Sequence, residues 1–210
     1  MADPRADLIA AARALQPAGL NKGTSGNVSV RDGDGFLITP TGLPYDGLVP
    51  DDIPRMALDG TWTGKRKPSS EWRFHRDLYA ARPEVWAVVH AHSPFAVSLA
   101  CLRRDIPPFH YMIARFGGDT IRCAGYAIFG SQALSTAAMR AMDGRKGCLL
   151  ANHGLLVAGG DLAEAFALAV ELEELCEQYW RACQICKPVL LTAAEMRAVR
   201  EEFRAYGQQS

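Results

Sequence analysis

Apolar residues recur along this chain with two different periods. Near the N-terminus Leu8, Ile9, Ala12 and Leu15 share one helical face, which predicts a helix over residues 5–16 that Pro17-Ala18-Gly19 ends. A turn-rich loop, Asn21 to Asn27, leads into a strand near residues 28–31. Asp32-Gly33-Asp34-Gly35 then predicts a tight turn into Phe36-Leu37-Ile38, hence a hairpin. Short strands are expected near residues 56–58 and 61–62, and a helix over 70–81 with Ser69 or Ser70 as its N-cap. Residues 85–90 form a continuous apolar, β-branched run and read as a buried strand. A helix over 94–102, a strand at 121–123, a helix over 131–142 and strands at 148–152 and 155–158 follow. The longest helix is expected over 161–186, opened by Asp161, and the last over 192–203. Strands and helices alternate irregularly and no linker interrupts them. That pattern predicts one α/β domain over residues 1–210, a mostly antiparallel or mixed central sheet flanked by helices.

Composition narrows the class. Lys+Arg and Asp+Glu both total 23, so the formal net charge is zero and nothing favours a nucleic-acid partner. No apolar run approaches the length of about 20 residues that spans a bilayer, so no membrane partner is expected. The first residues carry acids and no apolar core, unlike a secretory signal, and a cytoplasmic location is expected. Six cysteines then read as reduced core residues, and Cys183-Gln184-Ile185-Cys186, without a second such pair, reads as helix packing.

The chemistry concentrates at strand ends. In Val88-Val89-His90-Ala91-His92 the two imidazoles stand two residues apart and can point to one face of a strand. His153 closes a second apolar run, and Glu71 lies upstream in Pro68-Ser69-Ser70-Glu71. Any one histidine reads best as a hydrogen-bonded residue at a strand end. Three with a carboxylate describe a catalytic zinc site, and the lack of nearby thiolates argues against a structural one. Glu71 suits a resting ligand, a general base, or a plain helix N-terminal acid. Gly23-Thr24-Ser25-Gly26-Asn27, Thr39-Pro40-Thr41-Gly42 and Ser69-Ser70 are each ordinary turn chemistry alone; together they suit a small phosphate monoester. Tyr111 is a candidate general acid, His110 beside it is ambiguous, and His75 reads as structural. The segment Phe203 to Gly207 suits a lid, within a mobile tail over about residues 200–210.

These motifs, in this order, resemble the class II aldolase/adducin family. Gly23 to Arg31, Ile38 to Gly42, Pro68 to His75, His90-Ala91-His92, His110 to Ala114 and His153-Gly154 carry the likeness, which covers nearly the whole chain. The resemblance implies a three-layer αβα fold with a mainly antiparallel sheet, and a homotetramer with active sites at subunit interfaces. It implies zinc held by His90, His92 and His153, with Glu71 as fourth ligand and proton shuttle. Gly26, Asn27, Thr41, Gly42, Ser69 and Ser70 would hold the phosphate, Tyr111 would reach in from a neighbouring subunit, and Tyr206 would close over the substrate. The implied reaction cleaves L-fuculose 1-phosphate, or a similar ketose 1-phosphate, to dihydroxyacetone phosphate and an aldehyde such as L-lactaldehyde. Alternatives on the same scaffold are a methylthioribulose-1-phosphate dehydratase, a sugar-phosphate 4-epimerase, a sugar-acid phosphate decarboxylase and a non-catalytic adducin-like module. The epimerases usually carry Asp where this chain has Glu71, and the module predicts lost ligands.

Overall fold

The computed structural model describes residues 3–205. Asp3 opens helix α1 (Pro4–Ala14) by accepting a hydrogen bond from the Arg5 amide, with proline in the first turn. Strands β1 (Asn27–Asp32) and β2 (Gly35–Ile38) form the expected hairpin, in which Asp32 faces Gly35 across the turn. Strands β3 (Arg55–Ala57) and β4 (Trp62–Thr63) are short. Helix α2 (Trp72–Ala81), strand β5 (Ala87–Ala91) and helix α3 (Pro94–Ala100) come next. Strand β6 (Cys123–Ala124), helix α4 (Gln132–Ala141) and strands β7 (Gly147–Leu150) and β8 (Gly154–Gly159) lead to helices α5 (Leu162–Ile185) and α6 (Ala193–Ala205). Asp161 caps α5 as expected, accepting from the Glu164 amide at 2.7 Å.

The strands form one sheet in the order β4-β3-β2-β1-β5-β8-β7-β6. Every neighbouring pair is antiparallel except β6 with β7. Alternation along the strands feeds two cores. Leu37, Val89, Leu155 and Val157 join the apolar side chains of α1, α3 and α5 on one face. Phe36, Ile38, Val88, Leu150 and Leu156 join those of α2 and α4 on the other. The result is a single-domain αβα sandwich, as the motifs implied. Among the described residues no helix is long and apolar enough to cross a membrane.

Three readings are corrected. Helix α2 begins at Trp72, not residue 70, because the Ser69 hydroxyl accepts from the Glu71 amide and the Ser69 carbonyl from the Trp72 amide. That turn sets Ser69, Ser70 and Glu71 outside the helix, so neither serine is its N-cap. Strand β7 stops at Leu150, because Asn152 takes φ 53°, outside any strand conformation. Cysteines 183 and 186 are exposed, as is Cys101, so the pair does not pack the helix; Cys148 and Cys176 are the buried ones.

Candidate active site

Strand β5 and the residue that follows it supply the first two members of the cluster. His90 is fully buried, on the sheet face of α2, with its ring edge-on to Phe74. Its Nδ1–H donates to the Leu155 carbonyl at 2.8 Å across the β5–β8 ladder. That bond fixes the tautomer and leaves the Nε2 lone pair facing inward. His92 lies just past the strand end, its Nε2 2.9 Å from that of His90. Two anchors hold its backbone. The Asn21 carboxamide oxygen accepts from the His92 amide at 3.0 Å. Glu173, reaching from α5, accepts from Ser93 Oγ and from the Phe95 and Ala96 amides, capping α3 immediately after the ligand.

His153 stands in the turn between β7 and β8. The three imidazole centroids lie 4.7–4.8 Å apart, each pair edge-to-face. Glu71, placed by the Ser69 turn, sets Oε2 3.1 Å from His90 Nε2 and Oε1 3.2 Å from His153 Nε2. One ligand atom from each of the four residues falls within 4.8 Å of the others. Glu71 Oε1 is buried and makes no hydrogen bond among the described residues. An acceptor left so in a cluster of imidazole nitrogens fits a cation-binding donor set, three nitrogens and one carboxylate.

Electrostatics within the cluster are strongly coupled. Burial alone would raise the Glu71 carboxyl, but His90 and the nearby His153 nitrogen hold it far below the usual carboxylate range. Burial opposes protonation of His90, yet the Glu71 charge outweighs it and raises that imidazole. Burial, reinforced by His90 and His153, pushes His92 down to about 3.

Three of the four cluster residues, Glu71, His92 and His153, line a cleft of about 250 Å³ together with Thr24, Ser25, Gly26, Asn27, Thr41, Gly42, Ser69 and Ser70. All six residues expected at a phosphate thus border one cavity with the ligand cluster. Gly26 is obligatory there. Its φ is +79°, and an added Cβ would lie 2.4 Å from Asn21 Nδ2 and 2.7 Å from the His90 carbonyl. Asn27 turns its amide toward Glu71 Oε2 at 3.1 Å.

Some residues fall elsewhere. Tyr111 is half-exposed at the start of a short 3-10 helix, stacked on Phe203 at 6.3 Å, and does not line this chain's cleft. Tyr206 lies outside the described residues, and α6 carries the chain through residue 205. Sequence reasoning named Thr24 and Ser25 in the loop read for phosphate but did not assign them to the site. It also missed Pro40, within the quoted Thr39–Gly42 loop, and Phe129, an exposed ring at the cleft rim with no motif around it.

Comparison with known proteins agrees with this geometry. The model of the class II aldolase and adducin N-terminal domain matches residues 6–180. A 5-methylthioribulose-1-phosphate/5-deoxyribulose-1-phosphate aldolase of Rhodospirillum rubrum is 57% identical over 97% of this chain and 92% of its own. The L-fuculose phosphate aldolase of Escherichia coli K12 is 45% identical over 90% of this chain and 88% of its own. A solved L-fuculose 1-phosphate aldolase superposes with a TM-score of 0.93 at 39% identity, covering 97% of both chains. Fold, ligand cluster and relatives converge: the chain belongs to the class II aldolase and adducin family and is a metal-dependent aldolase.

Proposed function

We propose that the chain is a zinc-dependent aldolase that splits a deoxyketose 1-phosphate into dihydroxyacetone phosphate and a short aldehyde. The observation that carries this reading is the junction of two features. A three-histidine, one-carboxylate cluster opens, through Glu71, His92 and His153, onto a cleft also lined by glycine, serine, threonine and asparagine loops. Cleavage breaks the C3–C4 bond, converts the C4 hydroxyl to the aldehyde carbonyl and returns one proton to C3. His90, His92, His153 and Glu71 would hold the metal, which supplies Lewis-acid polarisation of the substrate carbonyl when bound. The Ser69-Ser70 turn and the Gly26-Asn27 and Thr41-Gly42 loops bind the phosphate. Glu71, whose Oε1 has no hydrogen-bond partner among the described residues, takes and returns the proton at C3. Tyr111, reaching into a neighbouring subunit of a cytoplasmic homotetramer, exchanges a proton with the C4 oxygen, and Tyr206 closes over the site. The exposure of Tyr111 and its absence from its own cleft support that arrangement.

On substrate, the 57% identity favours 5-deoxyribulose or 5-methylthioribulose 1-phosphate. L-Fuculose 1-phosphate, expected from the motifs, is the second reading, supported by the 45% relative and the solved structure. All three sugars end in a carbon that bears no hydroxyl, and Phe129 at the rim suits such an end. Dihydroxyacetone phosphate release measured on each at equal concentration tests this. A preference of at least about tenfold for the pentulose phosphates is expected, the scale on which a pocket separates substrates one carbon unit apart in length. Equal or reversed rates favour L-fuculose 1-phosphate, and water loss without carbon–carbon cleavage overturns the aldolase.

A further inference from the structure

His75 carries no ligand role, yet it lies at the centre of a closed hydrogen-bond chain that ends on the active-site carboxylate. Four contacts define the chain. Tyr79 Oη is 2.7 Å from Ser29 Oγ, and Ser29 Oγ is 2.6 Å from His75 Nδ1. On the other side His75 Nε2 is 2.5 Å from Asn27 Oδ1, and Asn27 Nδ2 is 3.1 Å from Glu71 Oε2. Tyr79, Ser29, His75 and Asn27 are each at most 2% exposed. Water therefore does not complete these bonds, and each donor has to meet an acceptor.

The direction of every bond follows from one end. The Glu71 carboxylate only accepts, so Asn27 must turn its amide nitrogen toward it. Asn27 Oδ1 then faces His75 and needs a donor, which makes His75 the Nε2–H tautomer. Full burial keeps that ring neutral, so Nδ1 accepts from the Ser29 hydroxyl, and Ser29 accepts from Tyr79. His90 on β5, with Nδ1–H on the Leu155 carbonyl, is the opposite tautomer.

We propose that His75 is a positioning residue for the acid–base carboxylate: anchored by Ser29 and Tyr79, it holds the Asn27 amide as a donor to Glu71 Oε2. With Oε2 tied down, the carboxylate keeps one rotamer and presents Oε1 toward the cleft and His153. Asn27 thereby orients Glu71 as well as lining the phosphate loop. The catalytic half of this inference rests on the proposed aldolase reaction; the tautomer half does not.

The experiment has two arms on metal-loaded protein. In the first, ¹⁵N-histidine NMR, with His75 assigned by its loss in His75→Gln, reads the tautomer directly. A neutral Nε2–H ring is expected; an Nδ1–H ring, or a charged one, overturns the proposal whatever the substrate. The second arm compares His75→Phe with His75→Gln, which restores a donor near the Nε2 position. His75→Phe is expected to keep the metal and the KM but lower kcat and C3-proton exchange of dihydroxyacetone phosphate together. The expected loss is about 10–100-fold, the scale of a misplaced catalytic group. His75→Gln is expected to recover most of it. Equal losses in both variants would mean packing alone and overturn the proposal, as would wild-type exchange in His75→Phe. Should His75→Phe not fold, Tyr79→Phe removes the distal anchor and is expected to lower exchange several-fold; an unchanged rate overturns the proposal. If wild-type protein exchanges no proton, the aldolase reading fails while the tautomer arm still decides the network.

Discussion

Gly154 shows how narrowly single residues set this site. A Cβ there would lie 2.3 Å from the Ala91 carbonyl and 3.1 Å from His92 Cδ2, so any side chain separates β8 from the end of β5. Gly154→Ala is expected to lower stability by about 1–3 kcal/mol, the usual cost of overpacking, and to weaken metal binding in parallel. Denaturant unfolding with metal titration checks both; unchanged metal affinity would contradict the packing argument. His92→Ala is expected to lose most bound metal, measured as stoichiometry after gel filtration. Glu71→Gln is expected to keep the fold and abolish C3-proton exchange. At this scale much was legible. The two-residue spacing of His90 and His92 on an apolar strand, and the repetition of a histidine at a second run's end, announce convergence. The network around His75 was not legible, because Ser29, His75 and Tyr79 come from two elements whose docking no local pattern states. Phe129 was hidden for the same reason.

Elements carry the cluster residues, and their ends matter more than their lengths. Helix α3 starts two residues after His92, and its first amides are capped by Glu173 from α5, not by a local side chain. Glu173→Ala removes three hydrogen bonds to a charged acceptor. A loss of about 3–5 kcal/mol is expected if all three go unreplaced, with a metal affinity that falls at least about tenfold because the His92 segment loosens. Thermal unfolding and a competitive metal titration read the two effects; a stability loss without an affinity change would confine Glu173 to the fold. The long helix α5 and the β1–β2 hairpin were legible from Asp161 and Asp-Gly-Asp-Gly, whose signals are local. The start of α2 was not, since the Ser69 hydroxyl serves the turn that precedes the helix. Nor was the end of β7, where the left-handed Asn152 breaks an apolar run before His153.

The whole molecule separates stability from chemistry. Two apolar cores on opposite faces of the sheet hold the fold, and the cluster lies at the C-terminal end of β5, in the β7–β8 turn and in the turn before α2. Metal removal is therefore expected to preserve far-UV circular dichroism. It is expected to lower the melting temperature by about 8–16 °C, the equivalent of about 4 kcal/mol at metal concentrations a thousandfold above Kd. A sandwich of helices about an antiparallel sheet was legible in the irregular order of elements. The strand order was not, because it depends on which apolar faces meet at long range: β5 pairs with β8 across some sixty residues. Aldolase activity in this fold is expected to depend on the cluster. Its most direct test follows dihydroxyacetone phosphate released from 5-deoxyribulose 1-phosphate by native, chelator-stripped and zinc-reconstituted protein. Release that vanishes on stripping and returns with zinc is the predicted result. Release that persists in folded, metal-free protein, or none from the zinc-loaded form on any of the three ketose phosphates, would contradict it.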